Sequence, residues 1–310
     1  MDNWANTTAQ PTLNLKDVAN LPIPLPPIAE QKEIAHILGA LDDKIELNRK
    51  TNEALEAMAR ALFQSWFVDF DPVRAKADGR PTGLPDAISD LFPDSLEESE
   101  LGEIPRGWQI AEMGSFVAIK KESVDPSAFP AEVFDHYSIP AFDSGQLPSR
   151  EPGSSIKSLK FLVGDEHLLI SKLNPSIPRI WIPFSGGERR GICSTEFLAC
   201  EASSDYGRSF VYCLVSCDLA IEAMSGLAGG TSNSHQRIRP GDFLGLRFCV
   251  GDRAIRSLFN ESISSALLKG LELRKQSKCL ASIRDTLLPK LISGELRIPE
   301  AEKLLAEAGV

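Results

Sequence analysis

Residues 29–67 read AEQKEIAHILGALDDKIELNRKTNEALEAMARALFQSWF, with no proline and a single glycine, Gly39. Apolar side chains recur in this stretch at alternating spacings of four and three. Ile34, Leu38, Leu41 and Ile45 are followed by Leu55, Ala59, Leu62 and Trp66, and Asn48 and Asn52 carry the pattern through the middle. A seam held this long predicts a helix seated in a coiled coil, on the order of 60 Å long at about 1.5 Å per residue. Asparagines at core positions of such a seam fix register and orientation. Just upstream, Leu21-Pro-Ile-Pro-Leu-Pro-Pro27 cannot be helical and delivers the chain as an extended strand. At the other end Leu62, Phe63, Trp66, Phe67 and Phe70 present more aromatic surface than a two-helix seam needs. Most of it is expected to be core if the two helices pack together, and part to dock a partner protein.

The plan repeats. At a constant offset, Leu13 falls on Ile238, Asp17 on Asp242, Val18 on Phe243, Leu21 on Leu246 and Ile23 on Phe248. Ile34 then meets Phe259, Leu38 meets Ile263, Arg49-Lys50 meets Arg274-Lys275, and Leu62-Phe63 meets Leu287-Leu288. An ungapped match of this length points to a second copy of the same unit, against the plainer reading of two unrelated amphipathic helices. The second helix is expected from near Arg253 to Leu288, with Pro289 and Gly294 ending or kinking it. Leu280, Leu287 and Leu291 are its expected seam residues.

Charge separates the rest. The 310 residues hold 33 Lys+Arg against 43 Asp+Glu, a formal −10 that by itself argues against a nucleic-acid partner. The whole excess lies in residues 1–104, with 9 basic and 19 acidic side chains; residues 105–250 are nearly neutral and 251–310 slightly basic. Asp86, Asp90, Asp94, Glu97, Glu98, Glu100 and Glu103, set among prolines and glycines, predict an exposed acidic linker over 71–104. Between the helices, short β-prone runs alternate with Gly/Pro/Ser-rich turns: Phe161–Val163, His167–Ile170, Ile180–Ile182 and Phe210–Val215. The organisation read from this is α+β. It comprises a tail over 1–27, a helix over 28–70, the linker, a globular domain over 105–250, a second helix over 251–296 and a C-terminal tail over 297–310. The two long helices are expected to pair as an antiparallel coiled coil.

Catalytic chemistry finds no foothold. The four histidines are isolated, and no metal-ligand spacing, nucleophile elbow, phosphate loop or dinucleotide turn is present. Asn174-Pro175 matches only the start of the Asn-Pro-Pro-aromatic site of adenine methyltransferases, and Ser176-Ile177 breaks it. No catalytic residue, metal or cofactor is assigned to this chain. The six cysteines form no CxxC pair, no apolar run is long enough for a membrane span, and the first ten residues lack signal-peptide character. A cytoplasmic protein with reduced thiols is expected. Two polar clusters suit nucleic acid better. One is Lys172, Asn174 and Arg179, continued by Arg189 and Arg190; the other is Thr231, Ser232, Asn233, His235, Gln236 and Arg237, introduced by Gly229-Gly230. Guanidinium and ammonium groups bind phosphate, and Arg, Asn and Gln forks read purine edges. Solvated loops between strands account for the same composition equally well.

Several of these stretches resemble the specificity subunits of type I restriction–modification systems. Leu21–Pro27 with Ala29-Glu-Gln31 resembles the end of a target-recognition domain running into a spacer helix. Ala40–Arg49 and Ala61–Val73 are similar to the family's central conserved region, Gly102–Trp108 to the opening of a recognition domain, and Arg284–Leu296 to the distal conserved helix. Ile170–Pro175, Ser194–Phe197 and Gly230–Arg237 resemble segments inside such domains. The resemblance implies two recognition domains, each reading half of a bipartite site on double-stranded DNA, held apart by antiparallel helices. It also implies a partner methyltransferase subunit that uses S-adenosylmethionine on adenine and, in the full complex, an endonuclease subunit. This sequence departs from that plan in carrying one complete recognition domain. Either half-length subunits associate as a homodimer on a symmetric target, or the chain is a truncated remnant or coiled-coil scaffold that does not read DNA; the unbroken frame favours the first.

Overall fold

The computed structural model describes residues 19–20, 25–184, 187–229 and 236–307. Two helices dominate it, α1 over Ile28–Phe67 and α7 over Arg253–Ser293, and their first residues stand 225 positions apart, the offset of the sequence repeat. In chain order the elements between them are α2 (Asp71–Ala77), β1 (Leu96–Ser99), β2 (Gly102–Pro105), β3 (Gln109–Glu112), β4 (Val117–Lys120), β5 (Ser123–Val124), β6 (Val133–Tyr137), α3 (Ile139–Asp143) and β7 (Ser149–Pro152). There follow β8 (Lys160–Val163), β9 (His167–Ser171), β10 (Ile180–Trp181), β11 (Gly191–Cys193), β12 (Phe197–Ala202), α4 (Arg208–Ser216), α5 (Asp218–Gly226), α6 (Pro240–Leu244) and β13 (Arg247–Val250). After α7 comes α8 (Ile298–Glu307). The chain forms two compact units, residues 1–48 with 276–310, and residues 49–275.

The first unit is a helical hairpin closed by α8. Ile34, Ile37 and Leu41 of α1 and Leu280, Leu287 and Leu291 of α7 are buried, with Leu38 and Ile45 half-buried beside them. The helices run antiparallel: Arg284 Nη1 donates to Asp42 Oδ1 at 2.6 Å, and Asn48 Nδ2 donates to Gln276 Oε1 at 3.0 Å. Asn48 is thus a seam residue whose partner lies in the same chain. Two expectations change here. The helix α7 runs past the expected end at Leu288, through the exposed Pro289 to Ser293, and stops at Gly294, one of the two expected stops, whose φ of +74° is open to glycine without strain. The stretch 297–310, expected as a tail, contains α8, which buries Ala301 and Leu305 in the hairpin core.

The second unit holds the sheets. A four-stranded antiparallel sheet has the order β10-β9-β12-β4, and a five-stranded sheet the order β5-β8-β11-β6-β7, in which only β11 and β6 are parallel. Strands β9 and β12 are buried on both faces. Leu168, Ile170, Leu198 and Cys200 face one apolar cluster, while Leu169, Phe197 and Ala199 face another containing Tyr137 and Trp181. Alternation along each strand puts neighbours on opposite sides, so both faces need a cover. On the first side that cover is α4 together with the aromatic end of α1.

That aromatic end is core, as expected for most of it, and the part expected to dock a partner is core as well. Phe63, Trp66, Phe67 and Phe70 are all buried. Phe67 packs on Phe210 at 5.0 Å, Phe259 at 5.3 Å and Trp108 at 5.8 Å, and Trp66 meets Phe92 at 5.2 Å. Leu55 and Leu62 are half-buried on the same helix. These rings fill the core of their own unit and are closed to another protein. Two further expectations fall with them. The sheet-bearing domain does not begin at residue 105, because its core draws on α1 and α7. Residues 71–104 are folded rather than an exposed linker: Val73, Phe92 and Ile104 are buried and β1 pairs with β2, while all seven clustered carboxylates point outward. The charges set the composition of that stretch, but the apolar residues between them decide its structure.

Phe210–Val215, expected as a strand, belongs to helix α4. A short continuous apolar run fits a buried strand or a buried helix equally, and a tertiary contact decides between them. Asn260 of α7 accepts from the Phe210 N–H at 2.9 Å and donates to the Tyr206 carbonyl at 2.7 Å, capping the helix start.

Candidate nucleic-acid interface

Three segments converge where β9 ends. Ser171 closes the strand with a tight turn, its hydroxyl donating to the Leu173 carbonyl at 3.1 Å. The Lys172 N–H donates to the Glu196 carbonyl at 2.8 Å, the Ile238 N–H to the Lys172 carbonyl at 3.0 Å, and the Asn174 N–H to the Gln236 carbonyl at 2.9 Å. Leu173 bridges to Arg237, which bridges in turn to Gly229. Gly229 and Arg237 therefore form the neck of the second polar cluster, and that neck is bonded to the first. Thr231, Ser232, Asn233 and His235 lie outside the described residues.

Asn174 has a φ of +49°, a left-handed conformation that asparagine tolerates better than most residues, and its buried Oδ1 has no partner among the described residues. Lys172 and Gln236 are half-buried, while Arg237 is exposed. Arg237 is held side-on by Glu196, with Nε and Nη2 each donating to a carboxylate oxygen at 3.0 Å. Arg179 makes the same side-on pair with Asp143 of α3, at 2.7 and 2.9 Å, but its side chain is only 12% exposed. It pins α3 to the turn before β10.

Arg189 and Arg190 sit elsewhere. They line an open groove of about 500 Å³ with Lys120, Lys121 and His167, the residue at the opposite end of β9 from Lys172. Arg190 is held side-on by Glu132, at 2.7 and 2.5 Å, with its guanidinium 4.4 Å from the centre of the Phe129 ring. This pairing lowers the Glu132 carboxyl below its usual range, chiefly through the hydrogen bond, and raises the guanidinium. Arg189 lies 3.2 Å from Glu188. Lys120 pairs with Glu201 at 2.7 Å, which raises the ammonium and lowers the carboxyl. The sequence reading missed Lys120, Lys121 and the carboxylates Glu132, Asp143 and Glu196. A lysine doublet beside a short strand was visible, whereas the carboxylates are 58, 36 and 41 positions from their arginines.

Comparison with known proteins bears on this arrangement. Residues 1–57 match the family described as type I restriction modification DNA specificity domain. The specificity subunit of the HindI type I restriction enzyme of Haemophilus influenzae is 25% identical, aligned over 92% of this chain and 71% of that one. The MjaIX specificity subunit of Methanocaldococcus jannaschii is 27% identical, over 94% and 64% respectively. The chain is similar over nearly its whole length to type I restriction specificity subunits. Its fold is also similar to the crystal structure of the S subunit from M. genitalium, with a TM-score of 0.53 at 16% identity over 94% of this chain and 68% of that one. The chain spans about two thirds of the length of these relatives, with one sheet-bearing unit between the two long helices in sequence.

Proposed function

We propose that this chain is the DNA-recognition subunit of a type I restriction–modification methyltransferase. Its 49–275 unit reads one half of a bipartite target, and two copies act together. The observation that supports this best is the bonded convergence of Lys172, Asn174, Gln236 and Arg237 at one end of β9, where they meet the base of the 229–237 loop. The Lys172 ammonium, the Gln236 carboxamide and the Arg237 guanidinium at this sheet end offer donors and an acceptor suited to groove edges, with a charge for phosphate. The partner methyltransferase supplies S-adenosylmethionine and the reaction on adenine; this chain supplies the address. If each 49–275 unit reads one half-site, a pair of identical units reads a two-fold symmetric target.

Co-expression with the neighbouring methyltransferase gene tests this reading. The expected outcome is a complex whose mass contains two copies of this chain, and adenine methylation at a fixed bipartite motif of the host genome. Replacing Lys172 and Arg237 by alanine together should abolish that methylation while the complex still assembles. Methylation at no defined motif, or at the same motif in the double variant, would refute the proposal.

A further inference from the structure

The arginines of the candidate interface are not free cations. Arg237 and Arg190 are both held side-on, through Nε and one Nη2 hydrogen, by carboxylates from distant segments. A guanidinium has five N–H donors in a rigid fork. Side-on pairing uses two of them and leaves the opposite edge, Nη1 and the outer Nη2 hydrogen, without a hydrogen-bond partner among the described residues. That is the edge that fits guanine O6 and N7 bidentately. The two side chains are 53% and 40% exposed, so the edge is open to a ligand. Each is also anchored beyond its ion pair. The backbone of Arg237 is bridged on both sides, to Leu173 and Gly229, and Glu196 itself is tied by its carbonyl to Lys172. Arg190 lies over Phe129.

We propose that Glu196 and Glu132 are specificity-determining residues, each aiming its arginine end-on at a guanine edge while cancelling its charge. This rests on the DNA-recognition reading above. The carboxylate does two separable things. It fixes the fork, so that little rotamer entropy is lost when a base is met. It also removes the long-range attraction that an unpaired guanidinium would exert on every phosphate, which is the part of binding blind to sequence. What remains is directional hydrogen bonding, strong only where a guanine stands in the right place. The overall acidity of the chain fits this design, in which the two arginines arrive already neutralised and non-specific adhesion is low.

The test uses the full-length chain and two duplex probes, one recovered by the wild type from a randomised pool and one of the same composition in scrambled order. Affinities are measured by fluorescence anisotropy over a potassium chloride series. Glu196→Gln keeps the shape and one hydrogen bond but uncovers the charge. It should bind the scrambled duplex more tightly, with a log–log salt slope steeper by about 0.9, the value for one additional phosphate neutralised. The ratio of recovered to scrambled affinity should fall about tenfold, within the range carried by one bidentate guanine contact. Glu132→Gln should act in the same direction. Glu103→Gln is the matched-charge control, because Glu103 faces Arg74 at 3.6 Å on the β1–β2 hairpin, away from both clusters; it should leave ratio and slope unchanged.

Thermal unfolding of each variant shows whether the fold is kept, and Glu132→Gln carries the test if Glu196→Gln does not fold. An unchanged ratio in the folded variants overturns the inference while leaving DNA recognition standing. The same ratio loss in Glu103→Gln also overturns it, because net charge rather than pairing would then be responsible. Failure of the wild type to enrich any duplex overturns both.

Discussion

Gly270→Ala puts the packing of α1 against α7 inside the sheet-bearing unit to a quantitative test. A Cβ built on Gly270 would lie 2.3 Å from Asn52 Oδ1, a buried oxygen with no hydrogen-bond partner among the described residues. Asn52 is 8% exposed and donates to Glu56 Oε1 at 3.2 Å, and Glu56 is also bonded to Arg274 of α7. The glycine therefore makes room for a polar side chain in the seam. On propensity alone, alanine in a helix interior would stabilise by about 1 kcal/mol. The overlap is well inside van der Waals contact, and Asn52 cannot yield without breaking its bond to Glu56 or pushing the helices apart. Such overpacking costs roughly 1–3 kcal/mol. The single variant should be less stable than wild type by up to about 2 kcal/mol.

Removing the obstacle reverses the sign. In Asn52→Ala the same Gly270→Ala change should stabilise by about 1 kcal/mol, so the coupling between the positions is about 1–3 kcal/mol. Urea unfolding followed by tryptophan fluorescence measures this, because Trp66, Trp108 and Trp181 are all buried in the unit concerned. Should Gly270→Ala stabilise the wild-type background, or the two changes simply add, Asn52 does not occupy the space that the structure gives it.

Other consequences can be checked directly. Leu41 is fully buried in the helical hairpin, so Leu41→Ala should cost about 2–5 kcal/mol in that unit, read as earlier loss of helical circular dichroism with the tryptophan transition little changed. Burial lowers the His136 pKa, and this outweighs the attraction of Glu151 3.2 Å from Nδ1. A histidine held neutral in the fold contributes stability above its unfolded value of about 6.5 that is lost as pH falls below it. His136→Gln should flatten the fall in melting temperature between about pH 6.5 and 5, and an unchanged profile would count against the buried placement. Cys279 is exposed, whereas Cys193, Cys200, Cys213 and Cys217 are buried with thiols pushed upward, Cys193 to about 12. Ellman's reagent at pH 8 should label Cys279 rapidly and those four only after denaturation.

Much of the architecture was legible because helix periodicity is strong over forty residues. Ile34, Leu38, Leu41 and Ile45 describe a stripe whose burial needs only an opposing helix, and the repeat supplied one. Strands at 160–163, 167–171 and 180–181 were legible as short β-prone runs between turns. The misreadings share a cause. Phe63, Trp66 and Phe67 were recognisably apolar, but nothing local says whether a partner protein or Phe210 and Phe259 will cover them. Within 71–104 the density of charge masked Val73 and Phe92, both of which are buried. In the candidate interface, the residue types of Lys172, Arg190 and Arg237 pointed to a polar ligand, while their ionic partners were out of view.

The sequence by itself therefore determined the two helices, their apolar seams, their spacing along the chain and the resemblance to type I specificity subunits. Each of these is a property of residues close together or of a pattern repeated in register. The tertiary structure alone decided that α4 is a helix, capped by Asn260 from 50 positions away. It also decided that the aromatic end of α1 is core and that the interface arginines stand paired. The physical reason is the same in each case. A local pattern specifies which groups must leave water or find a counter-charge, and only the folded chain specifies which distant group meets that need.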